Sequence, residues 1–586
     1  MKYIKSIFTV FALSALLHSC DSDFLERYPL DQLSDIDFFT KASDLRIYMN
    51  RFYNITNFPV MTQTTRPGDA GHHDLNSDVY IGQVMHIRLE GGRSVASTVD
   101  VSWAFTDIRT VNYFFANYER CKESFDSYKH FLGEAYFFRA LIYFRLLRQF
   151  GDVPYHTKVL GTTSPELYDP RMPRNEVVDH ILADLDQAAL HLNATKGAGF
   201  ERINKWIALL VQSRVALYEG AWQKYHAGTV FAPAVSNPNK YFAKAAEAAE
   251  AIINSGLYSV YQSAGGGNPD MDYYRLFGLR DYTNNSEVML WQKFDPAQGL
   301  SSNAMNYFNE CPVNRGITKQ MADLYLCKDG KPISVSPLFD KSTDFNSLSA
   351  EAKNRDPRFH QTIWTPEAVW KIEADGKTVY WKDCFDRLNA GSREFAPTGY
   401  CIRKVYHEDM RYHPTNNDDS PLMIYRYAEA LLNFAEAKAE MNAFSQADAD
   451  KSINKLRDRV GMPHLDVNTI TPDPDWQFPA LSPLINEIRR ERAVELFNEG
   501  FRWYDIQRWA AADKLIIGKR PKGAKAAQFP PQYMNWAVDA EGFLDPFQSA
   551  YPNGLQFKLD RDYLDPIPET QILLNNNLVQ NPGWTK

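Results

Sequence analysis

Apolar side chains return every three or four residues through 101–120, 128–149, 175–192 and 203–220. That period keeps one face of a helix apolar, so each stretch predicts an amphipathic α-helix. In the second, Leu132, Tyr136, Ala140, Phe144 and Leu147 fall near one face. An alanine-rich helix over 241–255 follows and stops at Gly256, a residue suited to the left-handed conformation that closes helices. The pattern returns over 425–441, 447–460 and 483–499, with Gly461 and Gly500 as stops. Between 261 and 420 it fades, and Gly, Pro, Asn and Asp crowd the chain; 518–562 is irregular as well. A folded segment that long without a regular period is usually functional.

Paired helices joined by short turns predict a mainly α fold: a tetratricopeptide-like scaffold of helical hairpins with long irregular loops and little β. The N-terminus adds a compartment. Lys2 and Lys5 precede an apolar run over 7–17, too short to span a bilayer but fitting the core of a secretory signal. It ends in Leu17-His18-Ser19-Cys20, which resembles a bacterial lipobox. In that reading 1–19 is removed and Cys20 is lipidated, with several acyl chains giving stable anchoring. The alternative is a soluble secreted protein whose Cys20 is incidental. The expected organisation is a leader over 1–19, an N-terminal helical part over 20–260, a loop-rich ligand-site insert over 261–420 and a C-terminal helical part over 421–586. The parts after the leader form one compact unit.

Composition narrows the function. Of 586 residues, 44% are hydrophobic, enough for a large core, and 14% are aromatic, with 12 Trp and 32 Tyr. Without Lys2 and Lys5, 62 basic residues face 72 acidic ones, a net charge of −10. An acidic chain with no long basic run is a poor nucleic-acid binder. Cys121, Cys311, Cys327, Cys384 and Cys401 remain after Cys20, an odd set with no CxxC spacing.

The charged blocks read as structural. Glu487, Glu491, Glu495 and Glu499 recur every four residues among Arg489, Arg490 and Arg492. Paired carboxylates could serve a glycosidase, but neighbouring arginines depress carboxyl pKa values and deny such a site its protonated acid. An ion-paired helix, tied to the next by Arg502, Asp505 and Arg508, is the expectation. Arg139 reads as a buried pair partner. His72, His73, Asp74 and Asp78 lack the spacing of a zinc site and suit hydrogen bonding to a ligand or partner. Asn416, Asn417, Asp418 and Asp419 form a solvated turn by default, with a structural calcium left open. Gly265–Gly267 lacks the Lys-Ser/Thr of a phosphate loop, and no Gly-x-Ser-x-Gly elbow occurs. No catalytic set and no cofactor are expected.

Several stretches carry a family resemblance. Asp23-Phe24-Leu25-Glu26 with Pro29, Glu134 to Ala140, Phe150-Gly151-Asp152-Val153-Pro154, Tyr427 to Leu432 with Ala435-Glu436-Ala437, and Asn454 to Arg457 with Gly461 are the first of them. Glu491 to Leu496, Glu499 to Asp505 with Arg508-Trp509, Pro566-Ile567-Pro568 and Gln580 to Trp584 follow in order. Together they resemble the SusD/RagB family over nearly the whole chain. Asp21-Ser22-Asp23 resembles the tag that sends lipoproteins of Bacteroidetes-type bacteria to the cell surface. His18 and the long individual loops depart from the family pattern. The resemblance implies a lipid-anchored protein on the outer membrane that binds oligosaccharide or polysaccharide without catalysis. It would close as a hinged lid over a TonB-dependent, SusC-like porin. A surface glycoside hydrolase and an assembly or adhesion subunit on the same scaffold are the alternatives.

A sugar ring has an apolar C–H face and a hydroxyl rim, so its site needs flat aromatics among polar side chains. The first choice is Trp103 with the preceding loop that holds Asp69, His72, Asp74, Asn76, Asp78 and Arg88. The second is Trp291, Tyr307 and Phe308; Trp364, Trp370 and Trp381 form a further aromatic cluster. Core packing competes with sugar contact at every one of these rings.

Overall fold

The computed structural model describes residues 38–53, 74–95, 103–199, 202–302, 305, 314–382, 396–414, 417–533 and 536–584. Helices α1 (Ala42–Asn50), α2 (Thr106–Asn117), α3 (Phe125–Phe150), α4 (Arg174–His191), α5 (Lys205–Tyr225) and α6 (Pro238–Asn254) lie in the first part of the chain. Sequence neighbours pack as pairs: α3 on α4, α4 on α5 and α5 on α6. Local chemistry sets their ends. The Asn204 side chain accepts from the N–H groups of Trp206 (3.0 Å) and Ile207 (3.1 Å), which starts α5. Pro238 opens α6, where a missing N–H leaves no bond unmade. Gly151, at φ 73°, ends α3. Where α5 crosses α6, a Cβ on Gly220 would lie 2.8 Å from the Phe242 ring, so the residue is small because the helices touch there.

The irregular middle contains short elements: α7 (Asp272–Gly278), α8 (Lys319–Leu324), α9 (Leu348–Lys353) and α10 (Arg358–Thr362). Among the described residues there are three two-stranded antiparallel sheets. Strand β1 (Tyr80–Gly82) pairs with β3 (Arg315–Ile317), β2 (Val288–Gln292) with β6 (Leu422–Arg426), and β4 (Val369–Ile372) with β5 (Thr378–Tyr380). The second of these pairs Trp291 with Met423 and Gln292 with Leu422, so the chain leaves and re-enters the helical part at one place.

The C-terminal part resumes with α11 (Tyr427–Glu440), α12 (Gln446–Lys451), α13 (Ile453–Arg459), α14 (Pro483–Glu495), α15 (Arg502–Arg508), α16 (Ala512–Leu515) and α17 (Glu569–Leu574). Helix α11 packs on α6 and α14 and joins the two helical parts. One large apolar core runs through both. A second core, with Tyr80, Ile317, Tyr325, Trp364, Tyr400 and Tyr406, supports the loop-rich part.

The predicted helices are present, with altered ends. The first begins at Thr106 rather than 101, and residues 425–426 belong to a strand because Leu422–Arg426 pairs with Val288–Gln292. The helix expected over 447–460 breaks at Ser452, whose ψ is −93°. The one expected over 483–499 stops at Glu495, since Asn498 (φ 61°) and Gly500 (φ 82°) turn the chain left-handed before α15.

Candidate functional site

The glutamates of α14 meet arginines from four directions. Glu495 accepts from Arg459 (2.6 and 2.7 Å), Arg426 (2.7 Å) and Arg358 (3.0 Å). Glu491 accepts from Arg358 (2.6 Å) and Arg457 (3.0 Å), and Glu499 from Arg426 and Lys404. Burial alone would raise the Glu495 carboxyl, but Arg459, Arg426 and Arg358 outweigh it and hold the group well below the carboxylate range. Glu499 is lowered too, with Arg426 and Lys404 overcoming its burial. Neither offers a protonated acid at neutral pH. Arg139, as expected, is a buried partner: it holds Asp184 through Nε (2.8 Å) and Nη2 (2.7 Å).

The sugar-site candidates divide into two groups. Asp69, His72, Tyr307 and Phe308 lie outside the described residues, as do His73 and Cys20. The others are largely interior. Asp74 accepts from the backbone N–H groups of Asn498 (2.6 Å) and Arg502 (3.0 Å). Burial lifts its pKa to about 6 against those two bonds. Asp78 accepts from Arg502 (2.7 and 2.6 Å) and from Gln320 Nε2 (2.5 Å). Asn76 is half-buried in the left-handed region, at φ 65°. The Arg88 guanidinium lies 4.1 Å above the Trp503 ring, and burial pushes its pKa down to about 10.

The two tryptophans are packed into the fold. Trp103 is 7% exposed, edge-on to Phe150 at 4.9 Å and Phe105 at 5.4 Å. Trp291 is 2% exposed and donates its indole N–H to the Ala198 carbonyl at 3.0 Å. Neither ring presents an open face in this conformation, because each fills a core position beside a helix or strand. Trp364 and Trp381 stack at 5.1 Å with Trp370 edge-on, all inside the second core. Asp418 and Asp419 both face the Arg280 guanidinium. Among the described residues no three His, Cys, Asp or Glu side chains converge as metal ligands.

Two cavities open beside this framework. One, of about 320 Å³, lies between α3, α5, β6 and residues 498–505. Arg148 enters it with its guanidinium 3.8 Å above Tyr504, and Arg214 is held there by Glu429 at 2.6 Å. The other, of about 520 Å³, lies between α8, residues 333–345, the loop 473–478 and the turn 541–543. Trp476 lines it half-buried, with polar neighbours Gln320, Asp323, Gln477, Arg490 and Lys525. Asp78 stands behind this wall: Gln320 bonds its carboxylate, and Arg502 bridges it to Gln477 Oε1 at 3.0 Å. Trp476 is not among the rings that the sequence pattern singles out. Its signal was a large ring inside Asp473-Pro474-Asp475-Trp476-Gln477, a polar turn between two predicted helices.

Helical hairpins carry a loop-rich part with polar, aromatic-lined cavities. The chain belongs to the SusD family: the model described by that name matches residues 280–584. A second, described as starch-binding associating with outer membrane, matches 23–217. Two SusD-like proteins of Formosa agariphila are similar along most of their length. One is 25% identical over 532 residues, covering 88% of this chain and 94% of that protein. The other is 24% identical and covers 100% of both. Among solved structures, a SusD-like carbohydrate-binding protein from Bacteroides fragilis shares the fold at a TM-score of 0.70 and 21% identity. The match covers 92% of this chain and all of that one. A laminarin-binding SusD-like protein superposes at 0.57 with 18% identity, over 93% of this chain and 100% of its own.

Proposed function

We propose that this protein captures oligosaccharides at the cell surface and delivers them to a TonB-dependent, SusC-like transporter in the outer membrane, without cleaving them. Lipid on Cys20 holds it there. The observation that carries the reading is family membership across both halves of the chain, including a family described as starch-binding and outer-membrane-associated. The name of the laminarin-binding neighbour supports the ligand class. The ion-paired state of Glu495 and Glu499 supports a binding role over a glycosidase one.

In this reading, Asp69, His72, Tyr307 and Phe308 are the sugar contacts to examine first. Asp74 and Asp78 act on the first loop by holding its end against Arg502. The test is a glycan array probed with the chain from Asp21 onward, followed by titration with the hits. Expected are millimolar to micromolar affinities that grow with oligosaccharide length, and no release of reducing ends. Tight binding to a peptide with no glycan bound would sink the reading, and hydrolysis would replace it with a glycosidase.

A further inference from the structure

Behind the wall of the cavity around Trp476 lie buried polar atoms that the fold leaves without partners. Arg490 is 6% exposed; its Nη2 bonds Asp473 at 2.6 Å and its Nε faces Glu487 at 3.3 Å, but Nη1 has no partner. Trp476 Nε1 and Gln477 Nε2 are buried donors in the same condition, and Asp323 Oδ1 is the one such acceptor at the cavity wall. Buried polar atoms are nearly always hydrogen-bonded, so the wall behind this cavity holds unused donor capacity. Residues of α8, 333–345, 473–478, α14, Lys525 and 541–543 meet to make this space, which is within the volume range of small-molecule sites.

Its chemistry favours one class of ligand. The unpartnered atoms are mostly donors, and the acids Asp473 and Asp323 are already engaged by Arg490 and Lys319. Lys525 lies 5.4 Å from the Phe543 ring centre, and no carboxylate among the described residues pairs with it. Asp475 and Glu541 are exposed at the mouth. A carboxylate entering past them would meet the Lys525 ammonium, whose charge-assisted bonds are about twice as strong as neutral ones, with the buried Arg490 guanidinium adding positive charge behind the wall. The half-buried Trp476 ring supplies the apolar surface for a sugar C–H face. We propose that this cavity is a carbohydrate subsite that receives a carboxylate-bearing sugar unit; the sugar part of this inference rests on the glycan-capture reading.

The test is calorimetric titration of the full soluble chain with glucuronic acid, and with glucose as the neutral control. Expected is a glucuronate affinity at least about tenfold above that for glucose, falling as sodium chloride is raised. Trp476→Ala should weaken glucuronate binding by about tenfold or more while a neutral oligosaccharide hit from the array binds unchanged. Lys525→Gln, which leaves the ring and the ion pairs in place, should bring glucuronate down toward glucose. Thermal unfolding of each variant confirms the fold. Equal binding of the two sugars, or full glucuronate affinity in both variants, overturns the subsite while the array result stands. An empty array with the glucuronate results intact sinks the capture reading and leaves the subsite.

Discussion

Glu436 sits beneath Arg508, Arg492 and Arg489, bonded by Arg508 at 2.5 and 2.7 Å. Burial would raise its carboxyl, but the arginines bring it down to about 2 from 4.5. An unfolded chain therefore binds a proton here near pH 3 that the folded chain refuses. The stabilisation is complete above the unfolded value and is lost as pH falls toward the folded one, on the order of 3 kcal/mol in all. Melting temperature should thus drop steeply between pH 5 and pH 3. Glu436→Gln, less stable at neutral pH, should show a shallower drop; calorimetry across that range decides, and parallel curves would refute the assignment. At this scale sequence and structure agree unevenly. Arg139 and the α14 glutamates were legible as paired charges, but their partners were not: Glu491 and Glu495 bond Arg358, Arg426, Arg457 and Arg459 of other elements rather than the neighbouring Arg489, Arg490 and Arg492. Trp103 and Trp291 were not legible as core, since a tryptophan in a polar context reads the same whether its ring faces water or Phe150.

Among the elements, periodicity identified the long helices, because it records which face each must bury. It carried no notice of β6, whose residues continue the helical pattern of 425–441 but pair with β2 instead. Nor did it register the break at Ser452. The contact between α5 and α6 supplies a sharp test. Gly220→Ala would improve intrinsic helix propensity, yet the added methyl meets the Phe242 ring at 2.8 Å. Overpacking of this kind costs about 1–3 kcal/mol, so the variant should melt lower than wild type in a thermal scan. A rise in melting temperature would mean the helices separate without cost.

For the whole molecule, the fold was the most legible feature and the cavity around Trp476 the least. The family stretches lie mainly on helices that form the common core, whereas α8, 333–345, 473–478 and 541–543 have no motif and meet only on folding. Attachment can be tested independently of both: Cys20→Ala should move the protein from the membrane fraction to the soluble one, and retention in the membrane would refute the lipid anchor. The pairing of β2 with β6 has a consequence for how such proteins diversify. Because 293–421 departs and returns at adjacent backbone positions, doubling its length adds only about 0.6 kcal/mol of closure entropy. The same stretch is tied down inside its length as well, where Arg315–Ile317 pairs with Tyr80–Gly82 and the Thr398 carbonyl accepts from the Ala524 N–H. A graft in its place would need to match those contacts and to bring an arginine to the place of Arg358, which shares Glu491 with Arg457 and Glu495 with Arg426 and Arg459.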